Sequence, residues 1–416
     1  MKLFSKSMAV ALFLGGATLL QVAGVLSCHR NLQKPGDLEL RYNESLCAHR
    51  GINPFKIWNR ELRHNDFRGL VRPDRQNDND KNKRMVHAYP PWHTVYTWFY
   101  GDLPWSFVVA IMYFMCGISV ATLCCRLMTM QPNSYCTFYW SWNLLFIFPA
   151  MVSCLVWGNY GIVCAGLLLI IAKLFRTSHQ IALGVAWGIM MIKPQIATLL
   201  IFPLLFTKKI LAVFTAIVIC AFSTLFLAYI YSESPISLIM QIPQIGAPYD
   251  TSVFFRKLLP SSCVPVVKFT WIVTCVLLCG TLSWKWRLAK NPVFCFAPVA
   301  FIFPLWLYSQ THDMIAAWPF ISLMACVLPQ LLNQVSRIGR NVVRAYVLST
   351  VCSAIFSGVW SCLCAFGIIN SLGIGWMYHA VNFPVAAMHF FIGIYILSRG
   401  PILVDYIRKK SANAKS

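Results

Sequence analysis

From Ile210 to Tyr231 the chain runs ILAVFTAIVICAFSTLFLAYIY, 22 residues without one charged side chain. A helix rises about 1.5 Å per residue, so a run of this length covers the ~30 Å hydrocarbon core of a bilayer. Comparable apolar runs fall near 8–27, 105–125, 137–157, 160–175, 180–192, 195–207, 262–283, 291–308, 312–331, 342–365 and 380–398. Only 12% of the residues are charged and 58% are hydrophobic, where a soluble domain carries about 25% charged residues. The deficit extends over most of the chain, which excludes a soluble domain on a single anchor. The expected fold is all-α, a polytopic transmembrane helical bundle of about twelve spans.

The net charge of +22 does not mark a nucleic-acid partner, because most basic residues border apolar runs and no compact basic domain remains. The same charges orient the bundle by the positive-inside rule. With the N-terminus cytoplasmic, the cytoplasmic pieces hold Lys2, Lys6, Arg126, Lys173, Arg176, Lys208, Lys209, Lys285, Arg287, Lys290, Arg337, Arg340, Arg344, Arg399, Arg408, Lys409, Lys410 and Lys415. The opposite short loops hold Lys193, Arg256, Lys257 and Lys268. Both termini are therefore expected in the cytoplasm. The runs 180–192 and 195–207 are short for a crossing, and Lys193-Pro194 separates them. They form either a hairpin or one broken helix, since Pro removes a donor and disfavours helix before it. The charge asymmetry favours two crossings. The N-terminus resembles a signal peptide, but 8–27 is long enough to span and reads as a retained helix.

Four regions follow. Residues 1–27 are the first transmembrane helix, and 28–104 form an extracytoplasmic loop. Residues 105–398 form the bundle, and 399–416 a basic cytoplasmic tail. Within the loop, 66–85 is polar and reads as a mobile or partner-ordered insert. The aromatic, Pro-broken stretch 89–105 reads as a segment lying along the membrane surface. Most of the 17 cysteines lie inside apolar runs and read as buried hydrophobes. Cys28 and Cys47 share a polar segment and could pair in an oxidising compartment.

The unusual polar residues all face outward in this orientation. The chain has 13 Asp and Glu, yet Asp37, Glu39 and Glu44 gather just beyond the first span. HAYPPWH (87–93), WGNYG (157–161), Lys193-Pro194, QIGAPYDTSVFFRK (244–257) and SQTHD (309–313) share that side. Charge beside hydrocarbon needs a partner or a purpose, and this one-sidedness points to an enzyme working on a membrane-embedded substrate. Partial desolvation makes a carboxylate a stronger base, which suits Asp37 or Glu39 to take a proton from an acceptor hydroxyl. Asp37 alternatively caps a helix from Leu38 to His49, and Glu44 faces solvent or Arg41. Lys193, Arg256, Lys257 and His312 could neutralise a leaving phosphate. Lys193 alternatively snorkels from a helix break, His312 starts a helix, Arg256 and Lys257 bind headgroups, and Asn159-Tyr160 form a tight turn. No cofactor motif occurs, neither a Walker-type loop nor a dinucleotide fingerprint. His312-Asp313 or Asp37 with Glu39 offers only a weak divalent-cation site.

Five of these patterns, in order, resemble the GT-C-type membrane glycosyltransferases that use polyprenyl-phosphate sugars. They resemble in particular the branch of bacterial α-mannosyltransferases and related arabinofuranosyltransferases. The patterns are DLELRYNESLCAHRGINPF (37–55), YPPW (89–92), GNYG (158–161), ALGVAWGIMMIKP (182–194) and, more weakly, THDMIAAWP (311–319). Asn159 stands where the family turn has Gln, Lys193 precedes Pro194 without a spacer, and the 66–85 insert is unusual. The resemblance implies an inverting transfer from a polyprenyl-phosphate-linked sugar donor to a glycan or glycolipid acceptor. It implies Asp37 as general base with Glu39 in reserve. Tyr89, Asn159, Lys193, Arg256 and His312 are the expected substrate-binding residues. The expected setting is a bacterial inner membrane, with the site on its extracytoplasmic face. A transporter or flippase is the alternative, with polar residues near the midplane of two related halves. A scaffolding subunit is the third reading.

Overall fold

The structure, a computed structural model, describes residues 36–58, 90–130, 158–246 and 262–287, with a few isolated positions between 154 and 341. The expected spans at 8–27, 137–157, 312–331, 342–365 and 380–398, the 66–85 insert and the 399–416 tail lie outside these residues.

The described residues are all helical or turn, with no strand among them. Helix α1 is Gly36–His49, α2 Pro54–Trp58 and α3 Pro91–Tyr96, the last followed by a 3-10 turn at Trp98–Asp102. Then come α4 Trp105–Met130, α5 Gly161–Leu174 and α6 Gln180–Met190. Helix α7 is Pro194–Ala197, a 3-10 turn at Thr198–Leu200 links it to α8 Ile201–Phe206, and α9 is Ile210–Tyr231. Helix α10 is Pro235–Gly246 and α11 Val264–Trp286. Two of these, α9 and α11, are long and apolar enough to cross a membrane.

The chain reverses at 191–193. The Trp187 indole donates to the Ala197 carbonyl at 2.9 Å, ten residues on, which a continuous helix cannot allow. The Lys209 ammonium reaches the Thr177 carbonyl at 3.0 Å, so the start of α6 and the end of α8 share one end of the bundle. The two short runs are therefore the arms of a hairpin, not one broken helix.

Helix α6 then packs closely along α9. A methyl on Gly184 would meet the Ala212 carbonyl and Thr215 Cβ at 2.5 Å, while one on Gly188 would meet Ile219 Cδ1 at 3.3 Å. Small residues permit this approach where lipid supplies no hydrophobic drive. Helix α8 packs beside α11, with Phe206 against Trp284 at 5.3 Å. The main core gathers α4, α5, α6 and α8 around Val108, Met112, Leu168, Leu183, Leu200 and Leu204.

The two ends of the bundle differ in charge. At one end lie Asp37, Glu39, Glu44, Asp102 and Glu233, the acidic side chains among the described residues, mixed with Arg41, Arg50, Lys56 and Lys193. At the other lie Lys173, Arg176, Lys208, Lys209, Lys285 and Arg287. Helix α9, about 33 Å long at 1.5 Å per residue, connects the two ends.

Candidate functional site

The acidic end is closed by α1 and by the α3 segment. Asp37, Arg41 and Glu44 recur at i, i+4 and i+7, so they occupy one face of α1. Glu39, two residues from Asp37, is rotated about 200° away and is partly exposed. The helix begins at Gly36, which places Asp37 inside its first turn rather than at its cap. A carboxylate there also meets the positive end of the helix dipole. The i, i+2 spacing keeps Asp37 and Glu39 from acting as a chelating pair.

The next element that builds the site is the turn before α5. Gly158 adopts φ +62, a conformation natural to glycine. It delivers Asn159, whose Oδ1 accepts from the Gly161 amide at 3.0 Å while its own amide donates to the Cys154 carbonyl at 2.8 Å. With Oδ1 engaged, Nδ2 must point the other way, and it donates to Asp37 Oδ2 at 2.5 Å. Asn159 is buried and Asp37 half-buried. One carboxylate oxygen is thus fixed by a buried amide on a residue that is itself half-exposed.

Tyr160 extends the arrangement inward. Its hydroxyl donates to the Tyr100 hydroxyl at 2.9 Å, and its ring meets the edge of His93 at 5.5 Å between centroids. Burial pushes the Tyr100 phenol up to about 12, offset in part by that hydrogen bond. His93 Nδ1 lies 3.9 Å from Glu44 Oε2. Glu44 in turn receives Arg41 Nη1 at 2.6 Å on both carboxylate oxygens. Arg41 Nε closes the circuit on the Asp37 backbone carbonyl at 3.4 Å. Burial, then the Arg41 guanidinium and the Lys193 ammonium, hold His93 well below the ordinary imidazole value of 6.5.

Lys193 sits at the hairpin turn, 0% exposed, where Pro194 starts α7. It is not a snorkelling lysine, because its head does not reach solvent. Glu44, likewise 0% exposed, faces Arg41 and not solvent. Neither burial is visible in a sequence pattern, since both depend on α3 covering the bundle end. Helix α3 lies over the end of the bundle. Helix ends leave carbonyls without intrahelical partners, and α3 supplies donors at the end of α6. The Trp92 indole donates to the Met191 carbonyl at 2.7 Å and the Tyr96 hydroxyl to the Gly188 carbonyl at 3.0 Å. His93, Thr94 and Thr97 are buried beneath.

The structure therefore brings together Asp37, Asn159 and Lys193 at one end of the bundle, with Glu39 on the far side of α1. Tyr89, Arg256 and His312, with Lys257, lie outside the described residues, as does Cys28. Cys47 is a free thiol buried in the core, and burial beside Glu44 pushes its pKa up. Arg41, expected only as a partner for Glu44, and His93, expected only within HAYPPWH, join the site. The i, i+4, i+7 spacing from Asp37 was the signal for Arg41, and His93 closes the HAYPPWH stretch. No protein-family model, curated protein or solved structure matches this chain.

A second polar group ties the same end together. Asn53 Nδ2 donates to Glu233 Oε2 at 2.8 Å and to Gln241 Oε1 at 3.3 Å, and Lys56 pairs with Glu233 at 2.7 Å. Gly51, with φ +67, passes so close to α9 that a methyl would meet the Ile230 carbonyl at 3.1 Å. These contacts anchor the loop after α1 to the end of α9.

Proposed function

We propose that this protein is a membrane glycosyltransferase that moves a sugar from a polyprenyl-phosphate donor to a hydroxyl of a glycan or glycolipid. The observation that carries the reading is the Asp37 carboxylate. It is half-buried at the mouth of the bundle and oriented by a buried amide, beside a buried cluster containing two cations. A base that is itself held by a third group is the arrangement expected for proton abstraction.

In this reading Asp37 takes the proton of the acceptor hydroxyl. The acceptor oxygen forms its bond to the anomeric carbon as the bond from that carbon to the phosphate oxygen breaks. Both electrons of the breaking bond leave with the lipid phosphate, and the anomeric configuration inverts. Charge grows on the phosphate, and Lys193 supplies positive potential in a low-dielectric setting where it acts strongly, while Arg41 stays paired with Glu44. Neutral His93 fills the space between them without adding charge.

The twelve-span arrangement, both termini cytoplasmic, places this end outside. Support comes from the far end, where Lys173, Arg176, Lys208, Lys209, Lys285 and Arg287 gather with no acidic side chain among the described residues, the pattern of a cytoplasmic end. A carrier would need polar groups near the bilayer midplane. Between Ile210 and Tyr231 there is no Asp, Glu, Lys or Arg.

The test is sugar transfer in membranes containing the protein, with labelled polyprenyl-phosphate sugars and Asp37→Asn alongside. The expected result is label in a new product with the wild type. The variant should lose about 10²- to 10⁴-fold, the usual worth of a general base. Full activity of Asp37→Asn would sink the assignment. Movement of labelled lipid across the membrane without a covalent product would replace the enzyme by a flippase.

A further inference from the structure

We propose that α10, Pro235–Gly246, is an interfacial helix that lies in the lipid headgroup and acyl boundary at the acidic end, with Ile236, Ile239 and Met240 facing the acyl chains. The inference rests on α9 crossing the membrane, not on the glycosyl-transfer reading.

Length excludes the first alternative. Twelve residues make about 18 Å of helix, too short for a ~30 Å core. Exposure excludes the second. A buried helix of this composition would hide its apolar side chains, yet Ile236 is 72% exposed, Met240 64% and Ile239 48%. These three fall at i, i+3 and i+4, one stripe of the helix. The opposite face is held by the protein. Leu238 is buried in a cluster with Ala48, Leu227, Ala228 and Tyr231, and Gln241 accepts from Asn53.

The occupant follows from depth and continuity. Ser232, with φ 52, ends α9, and only three residues separate Tyr231 from Pro235. One of them is Glu233, ion-paired to a partly exposed Lys56, which marks the polar boundary. Helix α10 therefore starts at that boundary, and Leu238 packs back beside the last turns of α9. The final turns of α9 expose Phe222, Leu225, Phe226 and Tyr229, the last 82% exposed. The α10 stripe continues this apolar surface at the depth where an amphipathic helix inserts about 5–10 Å. The helix carries no charge that would pair with a protein partner, and lipid is the surface already in contact with its neighbour.

The experiment places a photo-crosslinking benzoylphenylalanine at Ile236, Ile239 or Met240 in the full chain. The protein is reconstituted into phosphatidylcholine–phosphatidylglycerol vesicles that include an alkyne-tagged phospholipid. Tyr229 serves as the positive site and exposed Arg50, in the turn after α1, as the negative one. Each variant is first checked for monodispersity and for the wild-type melting profile. Lipid adducts at 236, 239 and 240 matching those at Tyr229, with their loss at Arg50, are expected. Loss of lipid adducts at all three while Tyr229 still labels would overturn the proposal. So would a protein–protein adduct in their place, which would make the stripe a contact between chains.

Discussion

Replacing Glu44 by Gln should destabilise the protein far more than any change to its exposed charges. Glu44 is 0% exposed and Arg41 2%, and Nη1 lies 2.6 Å from each carboxylate oxygen. Opposite unit charges about 4 Å apart attract by about 4 kcal/mol at an effective dielectric near 20. Taking each ion out of water costs several kcal/mol, so the intact pair contributes little net stability. Removing one partner is different, because the other remains buried with its desolvation no longer offset. That penalty is about 3–5 kcal/mol. The stranded guanidinium would also share its surroundings with the Lys193 ammonium, the second cation acting on His93. Arg41→Met should cost a similar amount, and Arg41→Met with Glu44→Leu should recover most of it. The assay is reversible unfolding in mixed micelles, followed by tryptophan fluorescence as sodium dodecyl sulfate is raised. With Glu44→Leu as the second single variant, the double-mutant cycle should return a coupling at least as large as either single loss, about 3–5 kcal/mol or more. A loss below about 1 kcal/mol for Glu44→Gln, the size of a surface ion pair, would refute a dry, closed cluster.

Three further outcomes follow from the same geometry. His93 resists protonation in the fold while an unfolded chain takes the proton near 6.5, so the unfolded state binds more protons below that value. Stability should fall as pH drops below about 6.5, with a slope of up to about 1.4 kcal/mol per pH unit, and His93→Phe should remove that component from the unfolding curves. Gly184→Ala forces a methyl onto the Ala212 carbonyl and should cost about 1–3 kcal/mol, while Gly188→Ala meets only the tip of Ile219 and should cost less; thermal melts of the two variants in one detergent decide this. Asn159→Ala releases the Asp37 carboxylate from its fixed orientation and should lower transfer by about 10- to 100-fold with the donor KM little changed, which initial-rate kinetics would check.

The fold was legible where the sequence carries long periods. Apolar runs read at 105–125, 160–175, 210–231 and 262–283 coincide with α4, α5, α9 and α11, and α9 and α11 are long and apolar enough to cross a membrane. Lys193-Pro194 marked the reversal between α6 and α7, but whether the arms return could be read only from the Trp187 and Lys209 contacts. The site was legible in part. Asp37, Asn159 and Lys193 stood out as polar residues at span ends, and they do gather at one end. The Glu44–Arg41 pair was one of the two alternatives read for Glu44 and is the one formed, while the burial of that pair and of His93 beneath α3 left no mark in the sequence. Nothing local to PPWHTVY states that its tryptophan and tyrosine will bond to carbonyls of a helix about a hundred residues later. Composition read that stretch as lying along the membrane surface, and the long-range capping of α6 that sets it over the bundle end is beyond what composition can state.

That capping also accounts for how so much charge persists beside an apolar core. An isolated ion here would be expelled or neutralised, but each polar group in the circuit is held by the next. Gly158 sets the turn, the turn locks the Asn159 amide, and the amide holds one oxygen of Asp37. Tyr160 continues to His93, whose other neighbour is the Glu44–Arg41 pair on the same face of α1 as Asp37. The inner half of this network is buried, and the Asp37 end is half open, the access the proposed reaction requires. A surface carboxylate would lack the oriented amide, and a fully buried one would lack access. The position of α1 at the mouth of the bundle, one face against the cluster and one toward solvent, is what would let a single helix supply the proposed base and the ion pair that backs it.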